Sequence, residues 1–131
     1  MPDAEPASIL DASALIAFLH DEPGSNAVLD AITQTAAVSI VNWAEALSKV
    51  AADGDDPQAV AAAFEGTLIL EPLTETDCIE IALLRPLTKA SGLSLADRAC
   101  LALAKRLDIP VLTADRDWAN LNLGIAVQLI R

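Results

Sequence analysis

The sequence predicts an α/β fold with a mainly parallel central sheet that helices cover on both faces. Short apolar runs, too short for helices, alternate along the chain with longer segments whose apolar residues recur at helical spacing. The short runs are continuously apolar, which is typical of strands buried on both faces of a parallel sheet. Hydrophobic residues make up 53% of the chain and aromatic residues only 3%, so the core is built from Leu, Ile, Val and Ala, which favours closely packed helices.

The elements follow in a regular order within what we expect to be one domain over residues 1–131, because a chain of this length fits one compact domain. Residues 1–7 are expected to form a loose lead-in. Strands are predicted at residues 7–10, 37–40, 67–70, 110–113 and 125–129. Helices are predicted at residues 14–20, 25–34, 42–52, 57–65, 75–90 and 94–107, with a short helix or turn at 115–121. Pro86 is expected to kink or end its helix early.

The charge balance restricts the partners that this chain can bind. Nineteen acidic against eight basic residues give a net charge of −11, so no broad basic surface can attract nucleic acid or an anionic membrane. A polyanionic substrate would need metal ions or local Arg and Lys side chains. No stretch approaches the roughly 18 apolar residues of a membrane span, and the N-terminus lacks the pattern of a signal peptide.

Cysteine usage indicates a compartment but no metal site. Cys78 and Cys100 lie in apolar helical patterns without CxxC spacing or a nearby His, so a zinc site is not expected. Two buried free thiols are the expectation, and a reducing cytoplasm is the simplest setting for them.

Acidic residues follow the predicted strands where the chemistry of a parallel sheet is usually found. Ligands of open α/β sheets bind outside the carboxyl ends of the strands. Asp11 follows the first strand directly, Asp115 lies two residues beyond the fourth, and Glu45 lies near the start of the helix after the second. Asp97 lies in the first turn of the helix that Ser94 opens.

Each acid also has an ordinary structural explanation. Asp11 and Asp115 can cap the segments that follow them, with Ser13 and Asp117 as similar capping candidates. Ser94 and Asp97 fit the S-x-x-D capping box. Glu45 and Lys49 are spaced as a helix-surface ion pair.

The joint pattern favours a metal site over separate structural roles. Caps can equally be Ser, Thr or Asn, whereas carboxylates occur at all of these strand-end positions. Grouped carboxylates repel one another and raise each other's pKa, a cost that a hard divalent cation removes. Mg²⁺ or Mn²⁺ is therefore the expected ion.

Other chemistries find less support. His20 is the only histidine and ends a predicted helix, where it is expected to face solvent or cap that end rather than act as a base. No glycine-rich phosphate loop is present. A phosphotransfer enzyme with an aspartyl-phosphate intermediate at Asp11 would need a second acid two residues on, where Ser13 stands.

The residues resemble a known family, the PIN-domain ribonucleases, and more narrowly VapC-type toxins of prokaryotic type II toxin–antitoxin pairs. The resemblance rests on ILDASALIAFL, SIVNWAEAL and SLADRACLALAKRLDIPVLTADRDW, in the family's order and spacing over nearly the whole chain. It implies a three-layer α/β/α sandwich and RNA cleavage that depends on one or two Mg²⁺ or Mn²⁺ ions.

The resemblance also implies roles for particular residues. The family's acidic set falls on Asp11, Glu45, Asp97 and Asp115. We expect Asp11, Asp97 and Asp115 to bind the metal, and Glu45 to bind it through water or to orient the nucleophile. Supporting polar positions are matched by Ser13, Asn42, Thr113 and Asp117.

Partners are implied in the same way: an RNA substrate, a cognate antitoxin whose tail enters the active site, and a second copy in a homodimer. Arg98 and Arg116 are the candidates for RNA contact, with Lys105 and Arg106 as further cations that can instead stabilise a helix C-terminus. Trp43 and Trp118 are expected to pack in the core. The alternative function is a catalytically inactive PIN-like module that binds RNA or a protein.

Overall fold

The computed structural model describes residues 5–131, and its elements alternate as the sequence predicts. The strands are β1 (Ser8–Leu10), β2 (Ala36–Ser39), β3 (Ile69–Glu71), β4 (Val111–Thr113) and β5 (Val127–Leu129). The helices are α1 (Ala12–Leu19), α2 (Ser25–Thr33), α3 (Ile40–Ala52), α4 (Pro57–Ala63), α5 (Glu75–Thr88) and α6 (Leu95–Leu107). Single 3₁₀ turns follow at Lys89–Ser91 and Arg116–Asn120.

The five strands form one sheet in the order β3-β2-β1-β4-β5, and every pairing within it is parallel. Ser8 of β1 is in register with Ala36 of β2, and Ile9 is in register with Val111 of β4. This confirms the predicted parallel sheet. Because β1 lies at its centre, the residues that follow β1, β2 and β4 meet at the middle of one edge.

Helices cover both faces of the sheet and complete an α/β/α sandwich. Leu10 of β1 and Leu112 of β4 pack with α1 to α4 in one hydrophobic cluster. Ile9 and Val111 point to the opposite face and pack with α5 and α6 in a second cluster. Trp43 lies in the first cluster and Trp118 in the second, which confirms the expectation that both are core residues.

Element boundaries differ from the predicted ones where side chains cap helices. α3 begins at Ile40 rather than at residue 42, because the hydroxyl of Ser39 accepts a hydrogen bond from the backbone N–H of Asn42. β2 therefore ends before Ile40. Residues 1–4 of the predicted lead-in lie outside the described residues, and the N–H of Ala7 already donates to the carbonyl of Thr35.

α5 continues through Pro86 to Thr88, so of the two predicted effects of the proline, a kink or an early end, the helix does not end there. Proline has no N–H, and the carbonyl of Ala82 loses its helical partner as a result. Pro86 and Ala82 are both exposed, so water can hydrate that carbonyl and the helix tolerates the ring.

The two cysteines lie in different environments. Cys100 is buried in α6 as predicted, but Cys78 is exposed on α5, so the prediction of two buried thiols is wrong for Cys78. The apolar pattern around Cys78 belongs to an outer face of α5 rather than to the core. Within residues 5–131, no helix is both long and apolar enough to span a membrane.

Candidate active site

The residues that follow β1, β2 and β4 form the centre of the candidate site. Asp11 follows β1 and is 4% exposed, so its carboxylate lies almost entirely out of water. Its Oδ1 accepts hydrogen bonds from the Ser13 hydroxyl at 2.7 Å and from the Ala14 backbone N–H at 2.8 Å. Its Oδ2 accepts from the Thr113 hydroxyl at 2.6 Å. Both carboxylate oxygens are thus fixed by the chain itself.

Two hydroxyl groups connect Asp11 to the segment after β4. The hydroxyl oxygen of Thr113 accepts a hydrogen bond from the N–H of Asp115 at 3.0 Å. The hydroxyl oxygen of Ser13 accepts from the N–H of Ala114 at 2.9 Å, and the two hydroxyl oxygens lie 3.3 Å apart. Ser13 and Thr113 therefore fix the position of the chain that carries Asp115 relative to Asp11.

Hydrogen bonds at the N-terminus of α6 position the side chain of Asp97. Its Oδ2 accepts a hydrogen bond from the N–H of Ser94 at 2.9 Å, and its own N–H donates to the Ser94 hydroxyl at 3.1 Å. This reciprocal pair is a capping box. Oδ1 of Asp97 has no hydrogen-bond donor within the part of the chain that the structure describes.

Asn42 joins the helix that carries Glu45 to the helix that carries Asp97. Its Nδ2 donates to the carbonyl of Ala96 in the first turn of α6 at 3.0 Å, and its Oδ1 accepts from the Ser39 hydroxyl at 2.6 Å. Asn42 is completely buried and bonds to none of the four acids. Ser39 was not among the predicted site residues, although its spacing of three residues from Asn42 is a capping pattern.

Burial sets the protonation of Asp11. Burial raises the pKa of Asp11 from 3.8 to about 6, the hydrogen bonds from Thr113, Ala14 and Ser13 oppose this rise, and the negative charge of Asp97 adds to it. Burial removes the hydration of the charged carboxylate, and a positive charge beside it would offset that loss. Asp11 forms no ion pair in the described range.

The negative potential at this edge has more than one source. Burial raises the pKa of the Cys100 thiol, and the charges of Asp11, Asp97 and Glu45 raise it further. Three of the four predicted acids therefore act on one buried side chain of α6. Asp115 is connected differently, since its exposed side chain reaches Asp11 only through its backbone and Thr113.

The structural alternatives hold for three of the acids. The Asp11 side chain caps α1, Asp97 caps α6, and Asp115 caps the 3₁₀ turn through the N–H of Asp117. Glu45 differs, because no ion pair to Lys49 occurs among residues 5–131. Capping and metal binding are compatible, since a cap uses one carboxylate oxygen and leaves lone pairs on the other.

The chemistry of Asp11 suits a divalent cation. Its carboxylate is buried, lies near the negative charge of Asp97 and pairs with no cation in the described residues, an environment that a hard divalent ion would neutralise. Residues 5–131 contain no group of three His, Cys, Asp or Glu side chains close enough to hold a metal ion, so Asp11, Asp97 and Asp115 do not form a single three-carboxylate site in this structure. An ion held here would bind at least one of these carboxylates through water, as Mg²⁺ commonly does.

The basic side chains considered for RNA contact already form bonds within the protein. Arg98 donates from Nη1 to the carbonyl of Ile81, and Arg116 donates from Nη1 to the carbonyl of Arg131, each at 2.9 Å. Lys105 pairs with Glu80, and Arg106 pairs with Asp77 and Glu71. These three ion pairs hold the last turn of α6 against neighbouring elements.

His20 lies at the C-terminal end of α1, away from the acids, as expected. It is exposed, with its ring nitrogens 3.7 Å from a carboxylate oxygen of Glu22 and 3.8 Å from one of Asp53. It contributes no base to the site.

A sequence model of the PIN domain matches residues 8–123. The chain belongs to the PIN domain family. No curated protein sequence matches the chain.

Solved structures share its fold at low sequence identity. A toxin–antitoxin complex from Klebsiella pneumoniae aligns with a TM-score of 0.75 at 20% identity, covering 95% of this chain and 98% of that one. VapC20 of Mycobacterium tuberculosis, described as a sarcin-ricin loop cleaving toxin, aligns at 0.71 and 13% identity, covering 91% and 98%. FitAcB from Neisseria gonorrhoeae aligns at 0.66 and 24% identity, covering 92% and 95%.

Proposed function

We propose that this PIN domain, taken as a single domain over residues 1–131, is a metal-dependent endoribonuclease that acts as the toxin of a toxin–antitoxin pair. The observation that carries the proposal is the buried carboxylate of Asp11, which lies near the charge of Asp97 and pairs with no protein cation within residues 5–131. A divalent cation removes that repulsion and gives the cluster a chemical use.

Mg²⁺ or Mn²⁺ is the proposed ion, and Asp11, Asp97 and Asp115 are the residues that would hold it. When bound, such an ion supplies an activated water and neutralises the charge that develops on a leaving phosphodiester oxygen. Asp97 offers the carboxylate oxygen that its capping box leaves free. Asp115 offers the oxygen that does not cap the following turn, since only its Oδ1 accepts from Asp117.

The surrounding residues serve to hold these carboxylates in place. The hydroxyls of Ser13 and Thr113 orient Asp11, as outer-shell hydrogen bonds commonly do at metal sites. Asn42 fixes α3 against α6, which sets the distance from Glu45 to Asp97. Glu45 is half-buried, and its carboxylate is proposed to orient the attacking water by accepting a hydrogen bond from it.

RNA is the proposed substrate and a basic antitoxin segment the proposed inhibitor. Both proposals are supported by the fold shared with a chain of a toxin–antitoxin complex and with a sarcin-ricin loop cleaving toxin. The net charge of −11 favours a cationic protein partner and leaves RNA contacts to a few cations. Arg98 and Arg116 keep N–H groups beyond the one each gives to a carbonyl. A cytoplasmic location follows from such a substrate.

The test is cleavage of total cellular RNA by the purified protein with Mg²⁺ or Mn²⁺, with EDTA, and with an Asp97→Asn variant. The matched control is Asp56→Asn, which makes the same acid-to-amide change at the exposed cap of α4. We expect discrete fragments that require the metal, disappear with Asp97→Asn and persist with Asp56→Asn.

The opposite result would favour the inactive module. Intact RNA under every metal condition, together with no heat of Mn²⁺ binding to the folded protein, would contradict the nuclease proposal. Fragments that persist in EDTA would contradict the metal dependence.

A further inference from the structure

The two residues that follow β5 bond to the chain on both sides of Asp115. The N–H of Ile130 donates to the backbone carbonyl of Thr113 at 3.0 Å. Nη1 of Arg116 donates to the backbone carbonyl of Arg131 at 2.9 Å. Thr113 lies two residues before Asp115, and Arg116 comes directly after it. The short segment that carries this acid is therefore attached at each end to the same two residues.

Those two residues pack on the turn between α1 and α2. Nη1 of Arg131 donates to Oε1 of Glu22 at 3.1 Å and to the carbonyl of Pro23 at 3.0 Å. Ile130 is buried in the first hydrophobic cluster. Gly24 lies so close to it that a Cβ at position 24 would be 2.6 Å from the carbonyl oxygen of Ile130. The chain after β5 is therefore held against this turn by both its backbone and its side chains.

The chain on the two sides of Asp115 is held in different ways. Before this acid, Ser13 and Thr113 connect the chain to the start of α1. After it, Trp118 is buried in the second cluster but lies three residues away. Arg116, the next residue, bonds to the segment after β5. On this side, the contact of Arg116 is thus the one directly beside the acid.

The position of Asp115 matters for an ion at this edge of the sheet. Asp11, Asp97 and Asp115 do not form a single three-carboxylate site, so an ion would bind at least one of them through water. A water bridge requires a fixed distance between ion and carboxylate. A segment that is already ordered lowers the cost of binding, because no freedom is lost when the ion arrives.

We propose that Arg116 is a positioning residue of the metal site, and that its bond to Arg131 holds Asp115 in place. The Arg131 side chain anchors that bond to the turn between α1 and α2. The inference rests on the proposed function and goes beyond it, because it gives Arg116 a role that needs no RNA. Both bonds are exposed, so their contribution to global stability is small. Their effect is on the order of the Asp115 segment.

Three roles of Arg116 predict different effects on Mn²⁺ affinity when no RNA is present. If Arg116 positions Asp115, its removal weakens binding. If Arg116 acts only as a charge, its removal tightens binding, because a cation near the acids repels the ion. If Arg116 contacts only RNA, its removal leaves Mn²⁺ affinity unchanged. The sign of the change therefore separates the three roles.

The experiment is a titration of the full chain with Mn²⁺, in which electron paramagnetic resonance measures the free ion. The variants are Arg116→Met, Arg131→Met and the conservative Arg116→Lys, which keeps an N–H donor. The matched control is Arg85→Met, which removes an exposed arginine of α5 that forms no ion pair within residues 5–131. Hydrogen exchange of the Asp115 amide in EDTA measures the order of the segment without metal.

We expect Arg116→Met and Arg131→Met each to weaken Mn²⁺ binding about fivefold and to speed exchange of the Asp115 amide by a similar factor. Arg116→Lys should bind within about twofold of the wild type, and Arg85→Met should not weaken binding.

Unchanged or tighter Mn²⁺ binding by Arg116→Met, or equal weakening by Arg85→Met, would overturn the positioning role and leave the nuclease proposal intact. A wild type that binds no Mn²⁺ would instead contradict the metal site itself, and with it this role of Arg116. The two failures are therefore distinguishable.

Discussion

Helices α5 and α6 begin with the same capping box, but only one of the two carboxylates has a cation beside it. Asp77 accepts from the N–H of Thr74 at 2.9 Å and donates its own N–H to the Thr74 hydroxyl at 3.1 Å. Asp97 makes the same two bonds with Ser94 at the same two distances. The local sequence patterns, T-x-x-D and S-x-x-D, are equivalent as helix-start signals.

The second oxygen of each carboxylate makes the difference. Oδ1 of Asp77 accepts from Nε of Arg106 at 2.9 Å. Burial alone would raise the pKa of Asp77, but the N–H of Thr74 and the Arg106 guanidinium outweigh it and lower the pKa. Oδ1 of Asp97 has no such partner among the described residues, and its negative charge raises the pKa of Asp11. A helix cap therefore carries no function by itself, and the partner of its free oxygen decides between a structural and a chemical role.

The largest expected effect is on RNA cleavage, and it distinguishes the two aspartates of the capping boxes. Asp97→Asn keeps the cap, because the amide oxygen still accepts from Ser94, but it removes a proposed metal ligand. We expect RNA cleavage to fall more than about 1000-fold, which corresponds to about 4 kcal/mol of transition-state stabilisation. Asp77→Asn should change the cleavage rate less than about twofold. Single-turnover cleavage of a labelled RNA measures both, and comparable losses in the two variants would contradict the distinction.

The second prediction concerns Asp11, whose burial is the cost of the proposed site. With EDTA at pH 7, Asp11→Asn should increase the free energy of unfolding by up to about 3 kcal/mol, because a pKa raised from 3.8 to about 6 disfavours the folded state by that amount. Urea unfolding measures it. Saturating Mn²⁺ should reverse the order, since only the wild type gains binding energy.

The stability difference between Asp11→Asn and the wild type is expected to depend on pH. A pKa raised in the folded state means that folding favours the protonated acid. The contribution of Asp11 to the stability of the wild type therefore falls as the pH rises from about 4 to about 6, and the advantage of Asp11→Asn grows over the same interval. An advantage that is constant from pH 4 to pH 7 would show that burial of charge is not its cause.

The third prediction is that the change from Asp to Asn at position 77 destabilises the protein, the opposite of its effect at position 11. Asp77→Asn should lower the free energy of unfolding by about 2 kcal/mol at pH 7, because it removes a charged hydrogen-bond partner of Arg106 from a buried position. The pKa of Asp77 is lowered, so its contribution is present above pH 3.8 and is lost as the pH falls below that value. Urea unfolding at pH 3 and pH 7 checks this, and a larger penalty at pH 3 would contradict it.

The sequence predicts the elements well but not what their side chains meet. The alternation of strands and helices, the parallel sheet and the caps at Asp11 and Asp97 follow from local patterns, whereas the strand order does not. Asn42 reaches Ala96, and Asp77 reaches Arg106, only because α3 and α5 pack against α6, and no local pattern encodes these contacts. The exposure of Cys78 is of the same kind, because apolar spacing predicts an apolar face without saying whether another element covers it.

The smallest expected effect separates the two cations at the end of α6. Lys105 pairs with Glu80 at 3.2 Å, beside the Arg106 pair, but its side chain is 54% exposed. Exposed pairs contribute little because water screens them, so Lys105→Met should change the free energy of unfolding by less than about 0.5 kcal/mol. A double-mutant cycle with Glu80→Gln isolates the coupling between the two side chains.

If Lys105 also contacts RNA, a plot of the logarithm of the RNA affinity against the logarithm of the salt concentration will be about one unit less steep for Lys105→Met than for the wild type. The free energy of unfolding will stay unchanged. Since Arg106 is committed to Asp77, the matching Arg106→Met change should instead lower stability and leave the salt dependence as it was.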